Sequence, residues 1–482
     1  MQFSLSQNDW LSILPALILC GWGMVLLLAD LVAPKERAAW IGWLSMVGLV
    51  GALVAEAMLW GSSWVGFGGM VVLDGASAFI GSVGLLAALL TVWASLNYIR
   101  DRGIERGEYY ALLLFSTGGI LLMAQAANLI VVFLGLELLS IPLYILAGFA
   151  RPRQDSEEAA LKYFMLGAFA TGFLVYGIAL VYGATRTTDL ARLAQAAGTG
   201  HNRTLLLVGA GLLLVGLGFK VAAVPFHMWT PDVYEGAPTP VAGFMSVGAK
   251  AAGFAALLRV FLLALSAVRL DWMPALAILS ALTMIVGNLV ALAQTNLKRM
   301  LAYSSVAHAG YMLMGVAAGN QAGFSAVLFY LLAYAFTNIG AFAVLAALAS
   351  REGEDQTLAQ YAGLGRKHPW LAAAMALFML SLTGLPPTGG FFGKYYLFLA
   401  AVTGNLGWLA LVGVVTSVIS AFFYLRVIVE MTMREPERAS PDRVYPALVT
   451  TLAVTVLGVL MLGVWPGPWL QLTQAGLKLF GG

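Results

Sequence analysis

Long runs of apolar residues, separated by short polar stretches, make up most of this chain. A helix that crosses a bilayer needs about 20 apolar residues. By that measure the chain contains fourteen candidate spans, at 11–33, 39–61, 75–97, 109–126, 128–149, 160–183, 204–226, 240–265, 273–294, 298–318, 322–349, 370–401, 405–431 and 446–465. The runs are continuous rather than alternating, which favours helices over membrane strands. The pattern therefore predicts an all-α integral membrane protein with about 14 transmembrane helices.

The composition supports a membrane location. Of the 482 residues, 61% are hydrophobic and 10% are charged, whereas soluble domains carry about 25% charged residues. The net charge of +3 is too small to indicate nucleic acid as a partner, because that requires a clustered basic face. The opening MQFSLSQNDW lacks the basic region of a cleaved signal peptide, so we expect the first apolar segment to remain in the protein.

Basic residues in the connections between spans predict the orientation by the positive-inside rule. The connections after odd-numbered spans hold fifteen of them, namely Lys35, Arg37, Arg100, Arg102, Arg106, Arg151, Arg153, Lys298, Arg299, Arg351, Arg366, Lys367, Arg434, Arg438 and Arg443. The connections after even-numbered spans hold four, namely Arg186, Arg192, Arg203 and Arg269. We therefore expect a multi-pass protein of the bacterial cytoplasmic membrane with both termini on the outer side.

A faint internal repeat divides the chain. NLIVVFLGLELLSIPLYILAG from Asn128 aligns with NLKRMLAYSSVAHAGYMLMG from Asn296. YFMLGAFATG from Tyr163 aligns with YLLAYAFTNIG from Tyr330, at an offset shorter by one position. Two units with an odd number of spans are inverted relative to each other, as in many secondary transporters. We expect a three-helix segment at 1–106, two inverted five-helix repeats at 107–268 and 269–433, and a C-terminal helix at 434–482.

In the interior of two spans, prolines lie close to a lysine. Pro225 follows Lys220 in GLGFKVAAVPFHMW, and Pro386 and Pro387 interrupt SLTGLPPTGGFFGKYYLF before Lys394. Proline removes a backbone hydrogen bond, and the freed carbonyl groups must find protein or water at that depth. Interrupted segments at corresponding places in two halves indicate a transport site.

Four charged residues lie deep within predicted spans. A charge at the centre of a span costs at least about 2.5–3.5 kcal/mol on insertion scales. The four residues are Glu137, Lys220, Lys250 and Lys394. The structural alternative for Lys220 is a lysine that reaches to the interface, which is difficult from the position of Lys250, and the alternative for Glu137 is a satisfied polar cross-brace. Their number and depth favour a proton-transfer path.

Other polar residues are weaker candidates. Lys162 follows the acidic stretch DSEEAAL and either joins the path or lies at the interface. His308 and His227 are imidazoles in apolar surroundings, which can relay protons near neutral pH or be satisfied core histidines. The charges of Asp30, Glu56 and Arg259, and the Arg426/Glu430 pair at helical spacing, are interpreted as interface or structural charges.

Sequence signatures of enzymes are lacking. The four histidines are far apart, and the chain contains no HExxH or P-loop pattern and no glycine fingerprint after a strand. Cys20 is the single cysteine, so the chain cannot supply the ligands of an iron–sulfur cluster. We expect no metal site and no cofactor-binding site in this chain.

Four stretches carry a resemblance to a known family. They are GLELLSIPLYIL (135–146), VPFHMWTPDVYEGAPTPV (224–241), NLKRMLAYSSVAHAGYM (296–312) and SLTGLPPTGGFFGKYYLF (381–398). In this order they resemble the antiporter-like subunits of respiratory complex I, and the resemblance spans nearly the whole chain. It implies fourteen transmembrane helices in which the seventh and twelfth are broken.

The resemblance also implies a site. A polar axis would pass a proton, driven by quinone reduction elsewhere in the complex. Its residues in this sequence would be Glu137, Lys162, Lys220, Lys250 and Lys394, with His227 and His308 as auxiliary polar residues. Glu137 and Lys162 would form a charged pair that tunes Lys220. Flavin, iron–sulfur clusters and quinone would belong to other subunits, and the partners would be the other membrane-arm subunits, including antiporter-like ones, and the lipid bilayer.

Three other functions stay open from the sequence. The chain could be a subunit of a multisubunit cation/proton antiporter, whose subunits share these motifs. It could belong to a membrane-bound hydrogenase. It could also be a structural anchor in a membrane arm, in which case neutralising Lys220 would leave pumping intact.

Overall fold

A computed structural model describes residues 5–32, 39–198, 202–348, 356–436 and 445–478. Five of the basic residues used to predict the orientation lie outside the described residues: Lys35, Arg37, Arg351, Arg438 and Arg443.

Helices account for most of the described chain. In order they are α1 (Gln7–Val32), α2 (Ala39–Met58), α3 (Gly75–Asp101), α4 (Glu108–Ala124), α5 (Leu129–Ala147), α6 (Gln154–Thr185), α7 (Leu190–Ala197), α8 (Arg203–Val221), α9 (Trp229–Gly236), α10 (Thr239–Phe244), α11 (Lys250–Leu257), α12 (Arg269–Leu292), α13 (Leu297–Ala318), α14 (Gln321–Leu348), α15 (Leu364–Lys367), α16 (Pro369–Thr383), α17 (Gly389–Thr403), α18 (Gly407–Met433), α19 (Pro446–Val464) and α20 (Pro466–Lys478). The helical membrane fold expected from the sequence is confirmed.

Eleven helical segments among the described residues are long and apolar enough to cross a membrane. Two further apolar helices, α4 and α16, are shorter. The helix α13 is long enough, with 22 residues, but lies outside this set. Its first turn contains Lys298 and Arg299, and His308 lies further along it, so its polar content lowers its hydropathy.

Within the described ranges, one short hairpin departs from the purely helical expectation. Strand β1 (Trp64–Gly66) pairs antiparallel with β2 (Val71–Leu73) in the connection between α2 and α3. Gly68 and Gly69 between the strands have φ angles of 65° and 93°, a backbone conformation that residues other than glycine rarely adopt. Each strand is only three residues long, too short for an alternating pattern to stand out from the apolar runs.

The segments around Pro225 and around Pro386 are each divided in two. The helix α8 ends at Val221 and α9 begins at Trp229, with Pro225 between them. Likewise, α16 ends at Thr383 and α17 begins at Gly389, with Pro386 and Pro387 between them. The predicted span 370–401 is therefore two helices rather than one.

A π-helical geometry interrupts the segment around Lys250. The stretches Met245–Ala249 and Leu258–Ala264 are π-helical and flank α11. Such segments are rare and are frequent at functional sites. They lie in the most completely buried candidate span, Thr239–Ala264.

A pair of backbone hydrogen bonds occurs twice, at positions related by the alignment of Asn128 with Asn296. In each case the backbone N–H of the first residue of a helix donates to a carbonyl oxygen further along the chain. Two residues beyond that carbonyl group, a backbone N–H donates to the carbonyl oxygen two residues before the helix start. The bonds run from Leu129 to Thr188 and from Leu190 to Ala127 in the first case, and from Leu297 to Gln356 and from Leu358 to Thr295 in the second. The equivalence by sequence position is therefore matched by equivalent backbone contacts.

A buried ion pair ties the N-terminal helices to the centre of the chain. The Arg259 guanidinium donates to both carboxylate oxygens of Asp74 at 2.8 Å and to the carbonyl oxygen of Ala124 at 2.7 Å. Asp74 also caps the N-terminus of α3 through the backbone N–H of Ser77. The structural interpretation of Arg259 is thus consistent with its contacts.

Candidate functional site

Three of the predicted lysines are buried inside the helix bundle. Lys220 is 3% exposed, Lys250 is 1% exposed and Lys394 is 4% exposed. Their ammonium groups contact hydroxyl oxygens, carbonyl oxygens and aromatic rings, and none contacts a carboxylate among the described residues. A buried charge without a counter-charge is costly, which makes these three positions unusual.

Lys220 lies in the last turn of α8, immediately before the helix break. Its ammonium group donates to the Ser140 hydroxyl at 2.8 Å and lies 3.4 Å from the Tyr163 hydroxyl. The helix ends because Ala222 adopts a left-handed conformation with φ 62°. A cation is favoured at this end of a helix, where the backbone carbonyl groups carry partial negative charge.

A small cavity adjoins the Lys220 side chain. Its volume is about 10 Å³, close to the size that admits one water molecule. The polar side chains in its lining are Ser140, Tyr144, Thr171 and Lys220, and the other lining residues include Leu136, Gly167, Ala170, Gly216 and Phe219. The cavity therefore brings residues of α5, α6 and α8 to one place.

Glu137 and Lys162 do not form the charged pair expected between them. Glu137 accepts a hydrogen bond of 2.8 Å from the Thr171 hydroxyl, whereas Lys162 contacts Glu158 at 2.6 Å and Asp232 at 2.7 Å. Thr171 is nine residues beyond Lys162 on α6, which is roughly 13 Å along a helix that rises 1.5 Å per residue. This axial distance exceeds the reach of a lysine side chain, so the expected pair is absent here.

Lys250 begins α11, directly after the first π-helical stretch. Its ammonium group donates to the carbonyl oxygen of Ser305 in α13 and lies 5.7 Å from the centre of the Tyr334 ring. The position joins the two repeats expected from the sequence, because Lys250 falls within 107–268 and Ser305 within 269–433.

His308 lies among tyrosines in the second half of the chain. Its Nε2 is 3.0 Å from the Tyr424 hydroxyl, and its Nδ1 is hydrogen-bonded to the Tyr330 hydroxyl. The Tyr424 hydroxyl in turn meets the Ser304 hydroxyl at 2.5 Å. His308 is 1% exposed, so this is a continuous hydrogen-bonded group inside the bundle.

Lys394 lies across the second helix break. Its ammonium group donates to the Thr383 carbonyl oxygen at 2.9 Å and to the Ser417 hydroxyl at 2.6 Å. It also lies 4.7 Å from the centre of the Tyr311 ring, a distance at which a cation is attracted to the ring face. The side chain therefore caps the C-terminal end of α16 from α17.

His227 has fewer contacts than His308. It lies in the first helix break, two residues after Pro225, and its ring is 6.5 Å from that of Tyr303. Its Nδ1 is buried without a hydrogen-bond partner among the described residues. The structure thus places His227 at the break but not in contact with the Lys220 ammonium group.

Sequence reasoning missed the tyrosines and two charges. The hydroxyl groups of Tyr163, Tyr330 and Tyr424 contact Lys220 or His308, and Asp232 and Arg299 form ion pairs near Lys162. A tyrosine in an apolar run is typical of a core, and the two charges are typical of connections. Nothing in the spacing alone distinguished them. Among the described residues, no group of three His, Cys, Asp or Glu side chains is close enough to hold a metal ion.

Comparisons with known proteins bear on this arrangement. The chain is 52% identical to NADH-quinone oxidoreductase subunit N 2 of Roseiflexus castenholzii over 441 residues, covering 89% of each chain. It is 51% identical to NADH-quinone oxidoreductase subunit N of Chloroflexus aggregans over 474 residues, covering 97% of each chain. A chain of respiratory complex I from Thermus thermophilus matches the structure with a TM-score of 0.83 at 40% identity, over 96% of this chain and 100% of that one.

A family model also matches the central part of the chain. It is described as NADH:quinone oxidoreductase/Mrp antiporter, transmembrane, and it matches residues 126–420. This region contains the buried lysines, His308 and both helix breaks. Together with relatives that are more than half identical over most of their length, the match shows that the chain belongs to the NADH:quinone oxidoreductase/Mrp antiporter family.

Proposed function

We propose that this chain is the proton-translocating membrane subunit of an NADH:quinone oxidoreductase, equivalent to subunit N of its relatives. The observation that carries the proposal is the set of three buried lysines, Lys220, Lys250 and Lys394, whose described contacts include no carboxylate. A lysine in such a place changes its protonation state when a charge or a water molecule moves beside it. Three in succession suit stepwise proton transfer.

The proposed path combines the lysines with their hydrogen-bonded neighbours. It would comprise Glu137, Lys162, Lys220, Lys250 and Lys394, with His227 and His308 as auxiliary residues. Lys162 would join it from the far side of Tyr163, apart from Glu137. The cavity beside Lys220 has room for about one water molecule, which would connect Lys220 to Thr171 and through its hydroxyl to Glu137. Hydrogen bonds from His308 to two tyrosines would carry the path between Lys250 and Lys394.

The energy for transfer would come from outside this chain. Quinone reduction in other subunits would drive the cycle, and flavin, iron–sulfur clusters and quinone would be held there. This chain would act as a non-redox part of the translocase. Its partners would be other membrane-arm subunits, including further antiporter-like subunits, and lipid.

The proposed architecture is fourteen spans with two inverted repeats. The helices α8 with α9, and α16 with α17, would each count as one broken span, and α4 and α13 as complete ones. When Asn128 is aligned with Asn296, the same pair of backbone hydrogen bonds occurs in both halves. This recurrence supports repeats at 107–268 and 269–433, between a three-helix segment at 1–106 and a C-terminal helix at 434–482. Both termini would lie on the outer side of a bacterial cytoplasmic membrane.

A second candidate is a subunit of a multisubunit cation/proton antiporter or of a membrane-bound hydrogenase. The family model that matches the chain covers Mrp antiporters as well as NADH:quinone oxidoreductases, which favours the antiporter over the hydrogenase. The two main candidates differ in the energy source, because NADH drives only the first.

The test is proton pumping by inverted membrane vesicles that carry Lys220→Ala, energised with NADH. Assembly is checked on a native gel, and Arg192→Ala, at an exposed position of α7, is the control. We expect pumping and quinone reduction to fall together in the assembled Lys220→Ala complex and to be unchanged by Arg192→Ala. Normal rates in both variants would instead identify the chain as a structural anchor.

A further inference from the structure

The short helix α9 is fastened by charges to helices on either side of it. Asp232 accepts from the Lys162 ammonium group at 2.7 Å and from the Arg299 guanidinium at 2.7 Å, and Glu235 accepts from the same guanidinium at 2.7 Å. Lys162 belongs to α6 and Arg299 to α13. We call these four residues the α9 tether.

The backbone end of α9 is fixed by a further lysine. Lys298 is buried, and its ammonium group donates to the carbonyl oxygens of Glu235 and Ala237 at 2.9 Å and 2.7 Å. The Asn296 side chain donates to Glu235 at 3.0 Å. The C-terminal end of α9 is thus held from α13, whereas Asp232 joins α9 to α6 and α13 together.

The opposite end of α9 covers the site of Lys220. The Trp229 ring stacks on the Tyr163 ring with centroids 4.5 Å apart, and its indole N–H donates to the Phe219 carbonyl oxygen at 3.0 Å. The Tyr163 hydroxyl lies 3.4 Å from the Lys220 ammonium group. Tyr163 therefore lies between Lys220 and Trp229, and a shift of α9 would take Trp229 away from the ring that covers Lys220.

The two broken segments place a charged residue in the same register. Asp232 is seven residues after Pro225, and Lys394 is seven residues after Pro387. Both therefore lie on the helix that follows the break, α9 in one case and α17 in the other. Lys394 reaches back to the end of α16, whereas Asp232 reaches sideways to α6 and α13.

The exposure of the tether suits a contact that opens and closes. The side chains of Lys162, Asp232, Arg299 and Glu235 are between 30% and 41% exposed. Ion pairs with this access to solvent are individually weak, so the tether can break without unfolding the bundle. The buried contacts of Lys298 would keep α9 attached while its first turn moves.

We propose that Asp232 and Arg299 are positioning residues that hold α9 closed over Tyr163 and Lys220, and that release of the α9 tether admits water to Lys220. The role of this release in proton transfer rests on the proposed function. The closing of α9 itself is a structural property that can be measured without turnover.

The test measures access to α9 with a thiol reagent. Thr230 is fully buried on α9, and its hydroxyl has no hydrogen-bond partner in the part of the chain that the structure describes. Thr230→Cys in a Cys20→Ala background therefore provides one buried reporter thiol. The labelling rate with a charged maleimide is measured by mass spectrometry in permeabilised membranes that hold the assembled complex. Neither NADH nor quinone is added, so failure here is distinct from failure of the proposed function.

The variants distinguish loss of the α9 tether from a general loosening of the helix bundle. We expect Asp232→Asn to raise the labelling rate of the reporter thiol by about tenfold or more, because a charge-assisted hydrogen bond is lost from each neighbour. Asp232→Glu should restore slow labelling. Glu158→Gln is the matched control, because Glu158 contacts Lys162 from within α6.

Two results would overturn the proposal. One is an unchanged labelling rate in Asp232→Asn, and the other is an equal rise in Glu158→Gln. If Asp232→Asn does not assemble, Arg299→Gln removes the other neighbour of Asp232 and is judged by the same outcomes.

Discussion

The Lys220 ammonium group donates a hydrogen bond of 2.8 Å to the Ser140 hydroxyl, which joins the last turn of α8 to the middle of α5. Ser140 is buried, and its hydroxyl also bonds to the Leu136 carbonyl oxygen in its own helix. The serine is therefore the nearest polar partner of a lysine that has no described carboxylate contact. Ser140, a residue of the GLELLSIPLYIL motif, thus positions the Lys220 ammonium group.

Replacing Ser140 with alanine should weaken proton transfer without preventing assembly. Loss of one hydrogen bond to a charged group costs about 1.5–3 kcal/mol, so we expect NADH-driven pumping to fall by about tenfold or more. Pumping is measured in inverted vesicles and normalised to the amount of assembled complex.

A second buried serine provides the control for Ser140→Ala. Ser45 is fully buried, and its hydroxyl donates to the Gly42 carbonyl oxygen of its own helix, at 2.7 Å. Ser45→Ala should leave pumping near the starting rate. Equal losses in the two variants would mean that any lost hydroxyl disturbs the bundle, and that the contact with Lys220 has no special role.

Much of the fold was predictable because membrane helices are coded by long apolar runs. The breaks at Pro225 and Pro386 were visible for a different reason, because proline cannot donate a backbone hydrogen bond and these prolines lie near lysines deep in apolar runs. The hairpin at Trp64–Leu73 was not, because strands of three residues leave no periodic signal. Helix bounds also shifted: α6 begins at Gln154, where Asp155 and Glu157 suit the positive end of a helix.

The candidate site was predictable as a set of residues but not as a set of contacts. The cost of a charge in lipid identifies Lys220, Lys250 and Lys394 from sequence alone. It does not say which partner each one meets. Glu137 is hydrogen-bonded to Thr171 rather than paired with Lys162. The packing of two neighbouring helices decides which of their residues come into contact, and this packing cannot be read from a local stretch of sequence.

The Arg259–Asp74 pair should stabilise the protein far more than an exposed pair. Its side chains are 5% and 2% exposed, and removing one partner of a buried pair costs about 3–5 kcal/mol. We expect Arg259→Met to lower the temperature at which the detergent-solubilised protein aggregates. Arg203→Met breaks a pair whose arginine is 58% exposed, which should cost about 1 kcal/mol or less. Similar shifts in the two variants would contradict the structural role of Arg259.

Gly390 should tolerate no larger residue, because α17 passes close to the end of α16. A Cβ at Gly390 would overlap the Ser381 carbonyl oxygen, which is backbone and cannot rotate away. Overpacking of this kind costs about 1–3 kcal/mol, and it would move Lys394, one turn further along α17. We expect Gly390→Ala to lower both the yield of folded protein and pumping per assembled complex. Gly407→Ala is the control, because a Cβ there meets nothing within 4 Å among the described residues; an equal loss in that variant would remove the steric explanation.

His308 should matter more than His227, although both are histidines in apolar surroundings. His308 is hydrogen-bonded to Tyr330 and Tyr424, whereas the Nδ1 of His227 is buried without a described partner. Phenylalanine preserves a planar ring but removes both nitrogens, so His308→Phe interrupts the group of hydrogen bonds that we propose connects Lys250 with Lys394. Loss of a positioned proton-transfer group slows a step by about 100-fold or more. We therefore expect pumping per assembled complex to fall steeply in His308→Phe and less in His227→Phe, when both are measured in the same vesicles. Equal rates in the two variants would show that the tyrosine contacts of His308 serve packing, and the proposed path would then need another connection from Lys250 to Lys394.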